Sequence, residues 1–153
     1  AEKATATYHE GSVWTYAGNY DIALPCATQN EINGEAAKRL VAQGVICVSE
    51  GANMPSDLDA IKVYKENGIF YGPAKAANAG GVAVSALEMS QNSLRLSWTR
   101  EEVDGRLKDI MTNIFNTAKT TSETYGLDKD YLAGANIAAF ENVANAMIAQ
   151  GIV

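Results

Sequence analysis

The chain has 153 residues, of which 47% are hydrophobic and 20% are charged. This length and composition are typical of one globular domain with a single core, and they exclude a disordered or collagen-like polymer. No apolar run reaches the roughly 18 residues that a membrane-spanning helix requires. The first residues, AEKATATYHE, lack the basic and apolar segments of a secretory signal. The sequence therefore predicts no membrane partner and a cytoplasmic location.

The charge balance and the rare residue types narrow the classes of site. Twelve basic and eighteen acidic residues give a net charge of −6, which disfavours nucleic acid as a partner. Cys26 and Cys47 lie in apolar contexts outside any CxxC pair, so we expect two buried free thiols in a reducing compartment. The single histidine, His9, lies in a polar segment and is expected at the surface. This inventory predicts no metal site.

The chain divides into three segments: a leader over residues 1–19, an alternating α/β unit over 20–80, and helices over 81–153. In the leader, AEKATATY is either the end of a helix or a bare terminus, and HEGSVWTYAGN is typical of a loop. In the second segment, short apolar runs predict strands over residues 20–24, 45–49 and 69–71. Helical patterns separate these runs, over residues 35–43 and from a cap at Ser56 to Gly68. Strands alternating with helices through short connections predict a parallel sheet.

The strand pattern stops at residue 80, and helices are predicted over residues 81–92, 99–126 and 129–150. Thr99 is a favourable N-cap, with Glu102 three residues later completing a capping box. A three-stranded sheet has two edges to cover, so we expect an incomplete α/β unit with an unpaired edge or an exposed apolar face. The isolated chain is therefore expected to self-associate or to exchange segments between copies.

Polar loops follow all three predicted strands, at residues 26–30, 50–55 and 72–81. In an open parallel sheet such loops lie beyond the carboxyl ends of the strands, which is where ligands bind. Their Asn, Thr and Gln side chains offer neutral donors and acceptors, and their small residues allow a ligand to approach the backbone closely. The alternative is that these residues only turn the chain. Three such loops on one edge favour a binding site for carboxamide or hydroxyl groups.

Two further features bear on the chemistry of this edge. Gly80 and Gly81 open a predicted helix whose free N–H groups could bind an anion, with the Ser85 hydroxyl one turn away, although small residues also mark close packing. The sequence contains no GxGxxG, GxxxxGK[ST] or GxSxG motif. Lys75 is the only lysine in the three loops. Any acid–base groups of a catalyst are therefore expected elsewhere.

Several long strings resemble the C-terminal part of hexameric glutamate dehydrogenase, over residues 20–153. They are DIALPCATQNEINGEAAKRLVAQGV, EGANMP, KAANAGGVAVSALEMSQNSLRLSW, YLAGANIAAF and AMIAQGIV. The resemblance implies the second half of a Rossmann-like nucleotide-binding domain, a three-stranded parallel βαβαβ unit, followed by C-terminal helices. It also implies oxidative deamination of L-glutamate to 2-oxoglutarate and ammonia in a homohexamer, with NADP favoured over NAD.

The same resemblance assigns individual residues by their matching positions. Cofactor-binding positions are Ala27, Thr28, Gly51, Asn53 and Asn78. Substrate-pocket positions are Val82 and Ser85, with Ser85 expected at the side-chain carboxylate of glutamate. The family's catalytic lysine and aspartate belong to an N-terminal domain, so no catalytic residue is assigned in this chain and the chain alone is expected to be inactive. The alternative is a free-standing, non-catalytic α/β binding or assembly module.

Overall fold

A computed structural model of the chain describes residues 8–151. A 3-10 turn, Val13–Thr15, precedes three strands, β1 Ile22–Ala23, β2 Cys47–Ser49 and β3 Phe70–Gly72. The helices are α1 Gly34–Ala42, α2 Leu58–Glu66, α3 Ala74–Ala77, α4 Ala79–Leu94, α5 Arg100–Thr124 and α6 Tyr131–Gln150. The two interpretations of AEKATATY concern mainly residues 1–7, which lie outside the described residues. None of the described helices combines the length and hydropathy needed to cross a bilayer.

The strands form one parallel sheet in the order β1-β2-β3, as the alternating pattern predicts. Successive side chains of a strand point to opposite faces. Ala23, Val48 and Tyr71 are in register and buried, in the same core as apolar residues of α1 and α2. The mixed α/β fold class is thereby confirmed, with β1 and β2 three and two residues shorter than their apolar runs and β3 shifted by one residue.

The opposite face of the sheet is only partly covered. Ile22, Cys47 and Phe70 form its in-register row, and Ile22 and Phe70 are 58% and 41% exposed. Helix α5 approaches this face over β2 and β3, leaving an apolar groove of about 480 Å³ lined by Cys47, Phe70 and Phe115 among others. The exposed apolar face expected of a three-stranded unit is therefore present.

The C-terminal helices begin close to their predicted positions. Thr99 accepts a hydrogen bond from the Glu102 N–H, and the Glu102 carboxylate accepts one from the Thr99 N–H, which confirms the capping box. Helices α5 and α6 pack closely where Gly134 lies against the Ala118 carbonyl. Lys129, predicted as the start of the last helix, precedes Asp130, whose side chain accepts from the Ala133 N–H and caps α6.

Two predictions about single residues are wrong. The cap of α2 is Asp57, not Ser56: the Asp57 carboxylate accepts from the Ala60 N–H at 2.7 Å. Ser56 is instead buried, with its hydroxyl 3.3 Å from that of Tyr64. Both cysteines are free, but Cys26 is exposed and Cys47 only half-buried, because neither lies on the covered face of the sheet.

Candidate functional site

The loops after the three strands meet at one edge of the sheet, which we call the rim (residues 26–30, 50–55 and 72–81). The N–H groups of Gly51 and Ala52 both donate to the Pro25 carbonyl, at 2.9 and 3.0 Å. The Asn78 side-chain amide donates to the Ala52 carbonyl at 3.1 Å. The Asn30 N–H also donates to the Met54 carbonyl at 3.0 Å, so direct hydrogen bonds join the second loop to the first and the third, and the predicted convergence is confirmed.

The first rim loop is organised by a single carboxylate. Glu31 Oε1 accepts from the N–H groups of Ala27 and Thr28, at 2.9 and 3.2 Å, and Oε2 accepts from Trp14 Nε1 at 2.8 Å. The side chains of Ala27 and Thr28 are exposed. Glu31 was missed from the sequence, although a carboxylate three to four residues after a turn is well spaced to accept from the turn's N–H groups. This bonding fixes the backbone at two predicted cofactor positions.

Gly51 lies at a close approach between Cys26 and the second loop. A Cβ atom at Gly51 would lie 2.5 Å from Cys26 Sγ, far inside contact distance. The glycine therefore lets the second loop pass directly beneath Cys26. The exposed thiol of Cys26 lies over a predicted cofactor position rather than in the core.

Neutral amides line a cleft of about 920 Å³ beside the rim, which we call the amide cleft. Its carboxamide side chains are those of Asn30, Asn53, Asn78 and Asn136. Lys75 reaches across from α3 and donates to Asn136 Oδ1 on α6 at 2.6 Å. Amides can both donate to and accept from a ligand carboxamide or hydroxyl, so the cleft fits the polar groups of a nicotinamide nucleoside. Asn136 was missed because it is 61 residues from Lys75.

A buried carboxylate, Glu50, lies at the start of the second rim loop and also lines the amide cleft. It accepts from the Tyr71 hydroxyl at 2.7 Å and from the N–H groups of Ala74 and Ser56, at 2.8 and 3.2 Å. Burial, and then the hydrogen bond to Glu50, raise the pKa of Tyr71 far above its ordinary range. Tyr71 therefore remains a neutral donor. Glu50 had no role predicted from the sequence, since most glutamates are exposed.

The predicted substrate residues lie apart from the amide cleft, on α4. Val82 is 75% exposed, and the Ser85 hydroxyl donates to the Gly81 carbonyl at 3.2 Å. The prediction of an anion site at Gly80 and Gly81 assumed that they open a helix with free N–H groups, and this assumption is wrong. Helix α3 runs almost directly into α4, and the Gly81 N–H already donates to the Asn78 carbonyl at 3.3 Å.

Other chemistry-bearing groups lie away from the rim. His9 is at the surface, as predicted, with its ring centroid 4.5 Å from that of Tyr16. Across residues 8–151, no group of three or more His, Cys, Asp or Glu side chains is placed to hold a metal ion. The rim is therefore the candidate site that the fold itself assembles.

A parallel α/β unit with polar loops at the carboxyl ends of its strands defines the class of ligand-binding open-sheet proteins. Residues 1–151 match the family model for Glutamate/Leucine/Phenylalanine/Valine dehydrogenase. The chain belongs to this dehydrogenase family.

Curated relatives and solved structures agree with this assignment. The chain is 54% identical to an NADP-specific glutamate dehydrogenase from Giardia intestinalis, over 97% of this chain and 34% of that protein. It is also 54% identical to a glutamate dehydrogenase from Bacteroides thetaiotaomicron, over 100% of this chain and 34% of that protein. A crystal structure of Plasmodium falciparum glutamate dehydrogenase superposes with a TM-score of 0.83 at 54% identity, over 87% of this chain and 29% of that one.

The chain thus spans about a third of the length of the curated relatives it matches. This confirms the resemblance to part of glutamate dehydrogenase. It does not favour the alternative of a free-standing, non-catalytic module.

Proposed function

We propose that these residues act within a longer subunit of an NADP-linked glutamate dehydrogenase, where the rim orients the nicotinamide end of the cofactor. The observation that carries this proposal is the amide cleft, in which Asn53 and Asn78 from different loops line one space. The hydrogen bond from the Asn78 amide to the Ala52 carbonyl joins the two loops. NADP is favoured over NAD because several relatives are named NADP-specific.

We assign roles to the rim residues from the resemblance to glutamate dehydrogenase, and their convergence at the rim supports these roles. Ala27, Thr28 and Gly51 would lie along the nicotinamide ribose, and Asn53 and Asn78 would hydrogen-bond the ribose and the carboxamide. NADP⁺ held by these residues would supply the hydride acceptor for the oxidation of L-glutamate at its α-carbon, which yields 2-oxoglutarate and ammonia after hydrolysis. The contribution of these residues is orientation, which can supply a large part of a barrier reduction.

Substrate binding is proposed for Val82 and Ser85, one turn apart on the exposed side of α4. Val82 offers an apolar contact for the carbon chain, and Ser85 a hydroxyl for the distal carboxylate. The exposure of this helix leaves both side chains accessible to a ligand. We place the proton-transferring groups outside these 153 residues, and we propose a cytoplasmic homohexamer for the whole enzyme.

The decisive assay is 2-oxoglutarate- and ammonium-dependent oxidation of NADPH, followed by absorbance. We expect turnover by the full-length subunit and none by the 153-residue chain. In the full-length enzyme, Asn53→Ala should raise the KM for NADPH by about tenfold, as the loss of roughly one hydrogen bond implies.

The matched control is Asn113→Ala, at an exposed position of α5, which should leave both constants unchanged. Equal KM values for the two variants would refute the role of the amide cleft. A full-length subunit without turnover would refute the proposed activity, and faster turnover with NADH would refute the cofactor preference.

A further inference from the structure

Glu50 is 2% exposed, although a carboxylate is costly to remove from water. Among the residues that the structure describes, no cationic side chain forms an ion pair with it. Its charge is compensated only by three neutral donors, two from the backbone and one from a phenol. Such a group contributes little to stability, but it constrains the positions of everything that bonds to it.

The three donors of Glu50 belong to three separate elements. Ser56 lies just before α2, six residues after Glu50, so this hydrogen bond closes the loop that carries Asn53. Tyr71 is the central residue of β3. Ala74 is the first residue of α3, the short helix whose C-cap is Asn78. One carboxylate therefore bonds to Ser56, three residues after Asn53, and to Ala74, four residues before Asn78.

We propose that Glu50 is the positioning residue of the amide cleft: its carboxylate sets the distance between Asn53 and Asn78, and so the orientation of the nicotinamide ring. This inference rests on the proposed function of the rim. Glu50 acts through these two asparagines and does not itself touch the reacting atoms.

The chemistry of the carboxylate predicts that no near-isostere can replace it. A carboxylate is acceptor-only, which matches the three donors that face it here. A glutamine at this position presents an NH₂ group to at least one of the N–H groups of Ser56 and Ala74, and donor facing donor forces the loop apart. An aspartate keeps the charge but is one methylene shorter, so it cannot reach all three donors.

The test is steady-state kinetics of the full-length enzyme with L-glutamate, and with glutamate deuterated at the α-carbon. For Glu50→Gln we expect kcat to fall by about 10- to 100-fold, in line with misplacement of a reacting group. The KM for NADP should change less than kcat. The deuterium isotope effect on kcat should rise, because slowed hydride transfer then limits turnover.

A merely structural role would lower the fraction of active protein without changing the isotope effect. The matched control is Glu35→Gln, which removes an exposed carboxylate paired with Lys38 on α1 and should leave all constants unchanged. Glu50→Asp should behave like Glu50→Gln. Full activity in Glu50→Asp would overturn the proposal, since charge alone would then suffice.

If Glu50→Gln does not fold, Tyr71→Phe removes one donor and keeps the ring in the core. It should raise the isotope effect in the same direction but by less. An unchanged isotope effect in the folded variants, with active unsubstituted enzyme, would overturn this inference alone. An unsubstituted enzyme without activity would overturn the proposed function and this inference together.

Discussion

The packing of α6 against α5 depends on one glycine, Gly134, which is buried at their crossing. A Cβ atom there would lie 2.1 Å from the Ala118 carbonyl oxygen, whereas ordinary contact begins at 3.4 Å. The obstacle is backbone inside a helix, so it cannot rotate away as a side chain would. The Gly134→Ala variant must therefore separate the two helices by about 1 Å, or bend one of them.

The size of the effect follows from two opposing contributions. Overpacking of a close contact costs about 1–3 kcal/mol, and a rigid carbonyl favours the upper end of that range. Replacing glycine by alanine inside a helix gains roughly 1 kcal/mol. We expect Gly134→Ala to lower the free energy of unfolding by about 1–2 kcal/mol.

Gly105 provides the matched control, because it is exposed within α5 and a Cβ atom there would meet nothing within 4 Å. Gly105→Ala should raise the free energy of unfolding by up to roughly 1 kcal/mol. Since both variants share the propensity gain, their difference isolates the packing cost of about 2–3 kcal/mol. Urea unfolding followed by circular dichroism measures both. Equal free energies of unfolding would refute the close helix crossing.

Three further predictions concern stability and association. Burial raises the pKa of Tyr64 to about 12 from its ordinary value of 10.0, so the unfolded chain ionises first and stability falls as pH rises through this interval. The free energy of unfolding, measured by urea titration at several alkaline pH values, should fall by about 2–3 kcal/mol, and it should fall by less in Tyr64→Phe. The same dependence on pH in both proteins would contradict the burial of Tyr64. Thr99→Ala removes the N-terminal capping box of α5 and should lower the free energy of unfolding in urea by about 1 kcal/mol. The control is Thr112→Ala, at an exposed position in the middle of the same helix, which should cause no such loss. The exposed sheet face carrying Ile22 and Phe70 predicts that the isolated chain self-associates, and sedimentation as a monomer at every concentration would contradict this.

Much of the fold could be predicted because local signals coincide with the tertiary structure. The apolar runs ending at Leu24, Ser49 and Tyr71 are strands because their buried members share one face with α1 and α2. The capping box at Thr99 was recognisable because its two hydrogen bonds involve only residues three apart. Local patterns of this kind do not depend on distant parts of the chain.

The failures arise where the tertiary structure, rather than the local sequence, decides how a residue is placed. Ser56 and Asp57 are both good N-caps, and the choice between them is made by Tyr64, which draws the Ser56 hydroxyl into the core. Cys26 was expected to be buried because its neighbours are apolar. The sheet leaves it exposed, on the rim above Gly51.

The candidate site likewise combines features that could be predicted from the sequence with features that could not. The convergence of the loops carrying Gly51, Asn53 and Asn78 was predictable, since parallel strands present their carboxyl ends at one edge. The contributions of Glu50 and Asn136 were not, because they depend on hydrogen bonds to residues 21 or more positions away.

The central claim is that the rim loops together bind the nicotinamide end of NADPH. The most direct measurement is hydrogen–deuterium exchange of the full-length protein with and without NADPH, resolved by peptide. We predict added protection in residues 26–30, 50–55 and 72–81, and none in the exposed part of α5 around residues 104–109. Protection by NADPH that leaves all three loops unchanged would contradict the account.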